Sequence, residues 1–386
     1  MVYYLKKKPF RNCCPPIPKH KPPGPQEPGN MIEFNCPESN GNTLTVGKSG
    51  QPTFNFSSIQ TAINAAVSGD IITVDPGTYL EQITIPAGKD NLTIVSRTPL
   101  GAIIKPPQGG LTGNLSILTI NAKCTSIIRF KISGPSTLQG NLKNGILVTN
   151  DGSAIIFNTE VTEIRDNPLT NLQQGTGINI DGGSARIINN TISNYQLTGI
   201  RVNGQNSSST ISRSIISGVG PTNVIIQNGI QISCGARAFI ESNIIVKNGY
   251  TGQGFVSAGI LLFQVNNINV LDTRSSTNNA GIYLATTTSS RVQQSAFTNN
   301  QFGIFVTADS VRNVFTRDQA RSNSIFDVED DSIGKQNSYP RIVCQTDNKN
   351  GAICRPQMKA KKPKPSTVLD TTVTGDISKN LSFSVD

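Results

Sequence analysis

A tetrapeptide, Gly-Ile-x-(Val/Ile/Leu), recurs seven times, starting at Gly145, Gly177, Gly199, Gly229, Gly259, Gly281 and Gly303. The intervals are 32, 22, 30, 30, 22 and 22 residues. A unit of 22 is too short for a helix pair and too long for a hairpin. It suits one coil of a parallel β-helix, three short strands separated by turns. The longer intervals are the same coil with an inserted loop, expected near 165–174, 218–227 and 249–257, where turn formers cluster. Alternate strand residues face one side. The second and fourth residues of each copy, such as Ile178/Ile180, Ile230/Ile232 and Ile304/Val306, therefore point inward and stack on their equivalents. Cys234 falls inward on the same template, which predicts a packing role. The pairs Asn189-Asn190, Asn266-Asn267, Asn278-Asn279 and Asn299-Asn300 suit left-handed turn positions and stacked amide ladders. Roughly 290 residues at this period make about eleven coils of 22–30 residues.

Charge and proline divide the chain into four parts. The formal charge is +10, and all of it lies in residues 1–30 and 355–365, which also hold 11 of the 22 prolines. The rest is neutral. The expected organisation is a basic, proline-rich arm (1–41), a β-helix (42–343), a Cys-flanked turn with a Lys/Pro linker (344–365) and a strand-like tail (366–386). A neutral rod with two basic tails does not fit nucleic acid, since the tails lack the interleaved aromatics of single-strand binders. No run of about 18 apolar residues occurs, so no membrane span is expected. The first residues, Met1 to Pro9, do not read as a secretory signal, because their charges follow the apolar residues. This predicts synthesis in the cytoplasm, with a spore or virion surface reached by lysis.

A single histidine, His20 in the arm, excludes multi-histidine zinc sites and any Ser–His or Cys–His pair in the body. No CxxC spacing occurs, and no metal or other cofactor is expected. Cys344 and Cys354 flank a turn-like stretch and form a candidate disulfide. Cys36 and Cys124 stand isolated. Cys13 and Cys14, adjacent in the arm, read either as exposed thiols or as intermolecular cross-links.

The stretch from Phe54 to Glu81 carries Phe-x-Phe-Ser-Ser-Ile-Gln-Thr-Ala-Ile-Asn-Ala-Ala and Gly-Asp-Ile-Ile-Thr-Val-Asp-Pro-Gly-Thr-Tyr-Leu-Glu. It closely resembles the opening of pectin-lyase-like parallel β-helix proteins. The resemblance implies an all-β, right-handed parallel β-helix over about residues 54–335. A short helix at 57–67 would cap it, with Ser57 or Ser58 as N-cap. That fold hosts lyases, hydrolases, esterases, epimerases, tailspikes and inert scaffolds, so activity must be argued from residues. Gly77-Thr78-Tyr79-Leu80-Glu81 matches the first pectin methylesterase motif, but the later motifs of that family are absent. So are the Gly-His-Gly of polygalacturonases, the Asp-Pro-His of alginate epimerases and the Trp-Ile-Asp-His of pectate lyases.

Two functions remain open. The first is a self-associating fibre subunit. Cys13 and Cys14 would cross-link it, in an arm that resembles the Cys-Cys connectors of endospore appendage subunits. Its basic arm would dock head to tail on the acidic cluster Asp327, Glu329, Asp330 and Asp331 of a neighbour. The second is a glycan-binding or glycan-cleaving β-helix of the phage tailspike type, with a trimer expected. Partners would then be other subunits, a polysaccharide or an anionic surface. Cleavage needs two carboxylates, and the candidates are Glu160, Glu163 and Asp181. The outward residues Leu261, Tyr283 and Phe305 form an expected apolar stripe along one face, either covered by a local loop or tail or docking a subunit or a sugar ring.

Overall fold

A computed structural model of the chain describes residues 35–48, 54–334 and 336–354. Cys13, Cys14, most of the N-terminal arm and the 366–386 tail lie outside them. The described residues form a right-handed parallel β-helix of three sheets. Sheet A has eleven strands, from Thr43–Val46 to Val314–Thr316. Sheets B and C have ten each. Sheet B runs from Gly77–Leu80 to Gln319–Arg321, and sheet C from Ile83–Ile85 to Phe326–Asp330. The chain visits A, B and C in turn, and each strand pairs in parallel with the strand one coil away. The Gly-Ile tetrapeptides are the sheet C strands.

The interior follows the repeat. Ile146, Val148, Ile178, Ile180, Ile200, Val202, Ile230, Ile232, Ile260, Leu262, Ile282, Leu284, Ile304 and Val306 are all fully buried in one core. Each lies in register with its equivalent in the adjoining coil, as in Ile178↔Ile200 and Ile200↔Ile230. The repeat glycines are required by space and not by backbone angle, since none of the seven has a positive φ. A Cβ at Gly177 would sit 2.6 Å from the Gly199 carbonyl oxygen, and one at Gly281 2.6 Å from that of Gly303.

Turn residues form ladders. Between sheets A and B, the Thr159 amide donates to Asn190, Asn190 to Ser214, Ser214 to Asn243, Asn243 to Thr273, Thr273 to Ser295 and Ser295 to Asp318. Between B and C, Asn248 donates to Asn278, Asn278 to Asn300, Asn300 to Asn323 and Asn323 to Asp327. Each amide thus meets a side-chain acceptor of the following coil or the final strand, which satisfies donors that the strands leave over. Asn189, Asn267 and Asn299 adopt positive φ, at 55°, 54° and 56°.

The first coil is closed by a helix, Ile59–Ala65, with Ser58 as N-cap. Glu81 serves this cap. Its carboxylate accepts from the Ser58 hydroxyl at 2.9 Å and from the amides of Ile59 and Gln60 at 3.1 and 2.9 Å. The esterase-like pentapeptide is therefore structural here. No helix among the described residues is long and apolar enough to cross a membrane.

Two disulfides join described cysteines. Cys344 bonds Cys354, and Cys36 bonds Cys124 across 88 residues. The reading of Cys36 and Cys124 as isolated is thereby corrected: the coil stack brings together what the sequence separates. Cys234 is also not a core residue. It follows the strand Asn228–Ser233 at φ 59°, in the turn to sheet A, and it too is disulfide-bonded.

Candidate functional site

The inserted loops lie between sheet B and sheet C strands, at 106–115, 134–143, 163–175, 223–227 and 251–257. They rise beside the outer face of sheet C and give it a wall. Asp166 staples two of them. It accepts from the Gly140 amide at 2.8 Å and the Thr170 hydroxyl at 2.5 Å, and its own amide donates to Gln196 at 2.9 Å. Asn141 ties in a third by a two-way bond to the backbone of Leu111.

The wall and the face enclose a groove of ≈ 260 Å³. Its floor carries Asn144, Leu147, Thr176, Asn179, Asp181 and Arg201, and its rim Lys143 and Gln174. Leu147, Asn179 and Arg201 are successive members of one outward column, aligned strand to strand. The polar groups at this floor are not all used. Asn179 is only 7% exposed, yet its Oδ1 has no hydrogen-bond partner, and the same holds for Nε2 of Gln174 on the rim. Buried polar atoms are nearly always paired. One acceptor and one donor are thus left over beside the same groove. Asp181, at the far end of its strand, is exposed and accepts from Asn203 at 3.4 Å.

The three carboxylates singled out in the sequence are held by different partners. Glu160 lies on sheet B and is ion-paired with Lys131 at 2.8 Å. Glu163 opens the 163–175 loop, held by Arg165 at 2.6 Å and Asn194 at 2.8 Å. Asp181 is on sheet C. The groove thus has one carboxylate among its described lining residues, and two-carboxylate hydrolysis finds no second acid there. No group of three or more His, Cys, Asp or Glu among the described residues is placed to hold a metal ion.

Most of the expected docking residues are buried. Leu261, Tyr283 and Phe305 do share the outward column, in register, but they are 2%, 8% and 0% exposed. The stripe is covered, not open. Asp327 and Asp330 are buried as well. Asp327 accepts from Asn323 and from the amides of Gln345 and Thr346, and Asp330 from Ser332, Asn337 and Tyr339. They close the last coil and offer nothing to a neighbour. Glu329 and Asp331 are half-buried, and Asp331 accepts from Asn348 at 3.2 Å. A second hollow of ≈ 700 Å³ lies beside this closing segment, between Tyr339 and Lys349.

Three sheets wound coil on coil, with a capping helix, define a right-handed parallel β-helix. A family model described as "Right handed beta helix region" matches residues 176–338. Among solved structures, the mannuronan C-5 epimerase AlgE6 A-module of Azotobacter vinelandii superposes with a TM-score of 0.55 at 15% identity, covering 74% of each chain. The pectate lyase Pel9A gives 0.50 at 15% identity, over 81% of this chain and 79% of that one. The GH136 lacto-N-biosidase of Eubacterium ramulus gives 0.50 at 10% identity, over 78% and 68%. At these identities the likeness is one of fold. A comparison with curated protein sequences finds no match.

Proposed function

We propose that the protein binds an acidic polysaccharide in the groove on the outer face of sheet C. The observation that carries this is the buried, unpartnered Oδ1 of Asn179, with Gln174 Nε2 beside the same groove. A sugar hydroxyl both donates and accepts, so a sugar ring satisfies both amides at once. Lys143 places a cation on the rim of the groove, which favours a polymer bearing uronates. Leu147 and Leu197 offer apolar surface for the C–H face of a ring. The epimerase, the lyase and the biosidase of the same fold act, by their names, on carbohydrates, and this supports the same ligand class. The two disulfides suit an oxidising, extracellular setting, where such polymers are met.

The test is affinity electrophoresis in gels cast with polygalacturonate, alginate or neutral xylan. The expected result is retardation by an acidic polymer. It should fall at least tenfold in apparent affinity for Asn179→Leu or Lys143→Glu, while Glu160→Gln runs as the unaltered protein. Equal retardation of Asn179→Leu and the parent, or no retardation by either acidic polymer, overturns the proposal.

A further inference from the structure

The outer face of sheet C turns apolar from strand Ala258–Phe263 onward. Leu261, Tyr283, Phe302 and Phe305 lie there with Ala258, Ala280 and Ala285 in one cluster. Tyr283 stacks on Phe305 with centroids 4.6 Å apart and planes 5° from parallel. Phe305 is fully buried although it points away from the core. Among the described residues, the partly buried hydrophobic side chains packed against this cluster are Val256 of the 251–257 insert and Phe263 and Phe326 along the face. An apolar face of this extent invites a further layer from residues outside them.

Cys234 shows which. Its backbone amide donates to the carbonyl of Phe263, so it sits at the margin of the apolar patch. It is disulfide-bonded. Of the seven cysteines, Cys36, Cys124, Cys344 and Cys354 bond one another. The remaining two are Cys13 and Cys14.

We propose that the N-terminal segment of this same chain is the cover. One of Cys13 and Cys14 bonds Cys234, and the apolar residues Val2, Tyr3, Tyr4, Leu5 and Phe10 lie over Leu261, Tyr283 and Phe305. The reach is sufficient on both sides of the bond. Cys234 and the strand of Phe305 are three coils apart, about 15 Å at the spacing of paired strands, and residues 2–12 extend to roughly 35 Å. Cys36, fixed by Cys124, is four coils away in the other direction, about 19 Å. Cys124 lies in the same row of turns as Cys234, between sheets C and A. The 21 residues between Cys14 and Cys36 are rich in proline and span that distance easily. Charge agrees: Lys6-Lys7-Lys8 would approach the rim formed by Asp309, Glu329 and Asp331. Closing the bond removes two protons and two electrons from the two thiols. A disulfide-bearing oxidant, reduced to its dithiol, takes them up.

The experiment is disulfide mapping of the full chain, alkylated without reduction, digested and read by mass spectrometry from the monomer band. A peptide containing Cys234 joined to one containing Cys13 and Cys14 is expected. Cys234 recovered as an alkylated thiol overturns the proposal, as does a bond found only in a covalent dimer. The cover is tested separately with the full-length triple variant Tyr3→Ser, Tyr4→Ser, Phe10→Ser. Its circular dichroism should be unchanged and its binding of an apolar fluorescent dye should rise several-fold. Unchanged dye binding overturns the assignment. So does an equal rise produced instead by Leu381→Ser with Phe383→Ser in the C-terminal tail.

Discussion

Sheet C has one inner face and two outer ones. From Ser116 to Ser233 its outward column is, Leu147 apart, polar or charged, and it floors a groove. From Ala258 to Phe326 the outward side chains are alanines, aromatics and Leu261, and they are largely buried. The inner columns run through both halves without change. The inner face therefore specifies how the chain coils, and the outer face specifies what each stretch of the coil meets. The same alignment position carries Asn179 in one half and Phe305 in the other, with opposite consequences.

The largest effect should come from the face that does not change. Ile230→Asp places a charge in a fully buried column and is expected to abolish folding, read as loss of the cooperative denaturant transition. Next is Phe305→Ala, expected to cost about 3–5 kcal/mol in chemical denaturation. Asn179→Ala should be nearly neutral to stability, because its amide oxygen has no partner to lose. Similar costs for Asn179→Ala and Phe305→Ala would break the comparison between the halves.

Asp318 gives a smaller, pH-dependent effect. Burial pushes its carboxyl up to about 7, against the hydrogen bond from Ser295 that favours the charged form. The unfolded carboxyl ionises near 4. Between these values the folded chain holds a proton that the unfolded chain has released. That stabilisation is complete below about pH 4 and is lost as the pH rises through 7. Asp318→Asn keeps an acceptor for Ser295 and removes the charge. It should raise stability by roughly 1–3 kcal/mol at pH 8 and change it little at pH 4, measured as the two denaturation midpoints. The smallest effect is Glu160→Gln. Its ion pair with Lys131 is partly exposed, so the loss should stay under about 1 kcal/mol.

The coil was legible because its signal repeats. Ile178, Ile200 and Ile230 report the same geometry, and an error at one copy is corrected by the next. The inserts near 165–174 and 249–257 were legible as departures from the 22-residue interval. The bond between Cys36 and Cys124 was not, because neither residue belongs to the repeat and only the stack makes them neighbours. Asp327 and Asp330 were misread as a surface cluster because their signs were counted and their register was not. Carrying the template one coil further aligns Val328 with Ile304 and Asp330 with Val306, both inward. The groove was half legible. Asn179 and Arg201 follow from the outward column, whereas Gln174 and Lys143 come from inserts, which obey no period.

The turn ladders have a direction and an ending. Every backbone amide points toward the next coil, and each series finishes on an acid: Asp318, Asp327 and, in a third series from Ser290 to Asn313 to Asn337, Asp330, reached by the Asn337 side chain. Inside the stack, any coil presents the same donors and acceptors as its neighbours. A duplicated or deleted coil would thus meet matching surfaces on both sides, and the rod can change length without new chemistry. At the last coil the pattern changes from neutral acceptors to carboxylates, and those of Asp327 and Asp330 turn onto the closing segment. These three acids act as punctuation: they tell the chain where to stop winding, and a longer descendant would have to rewrite them first.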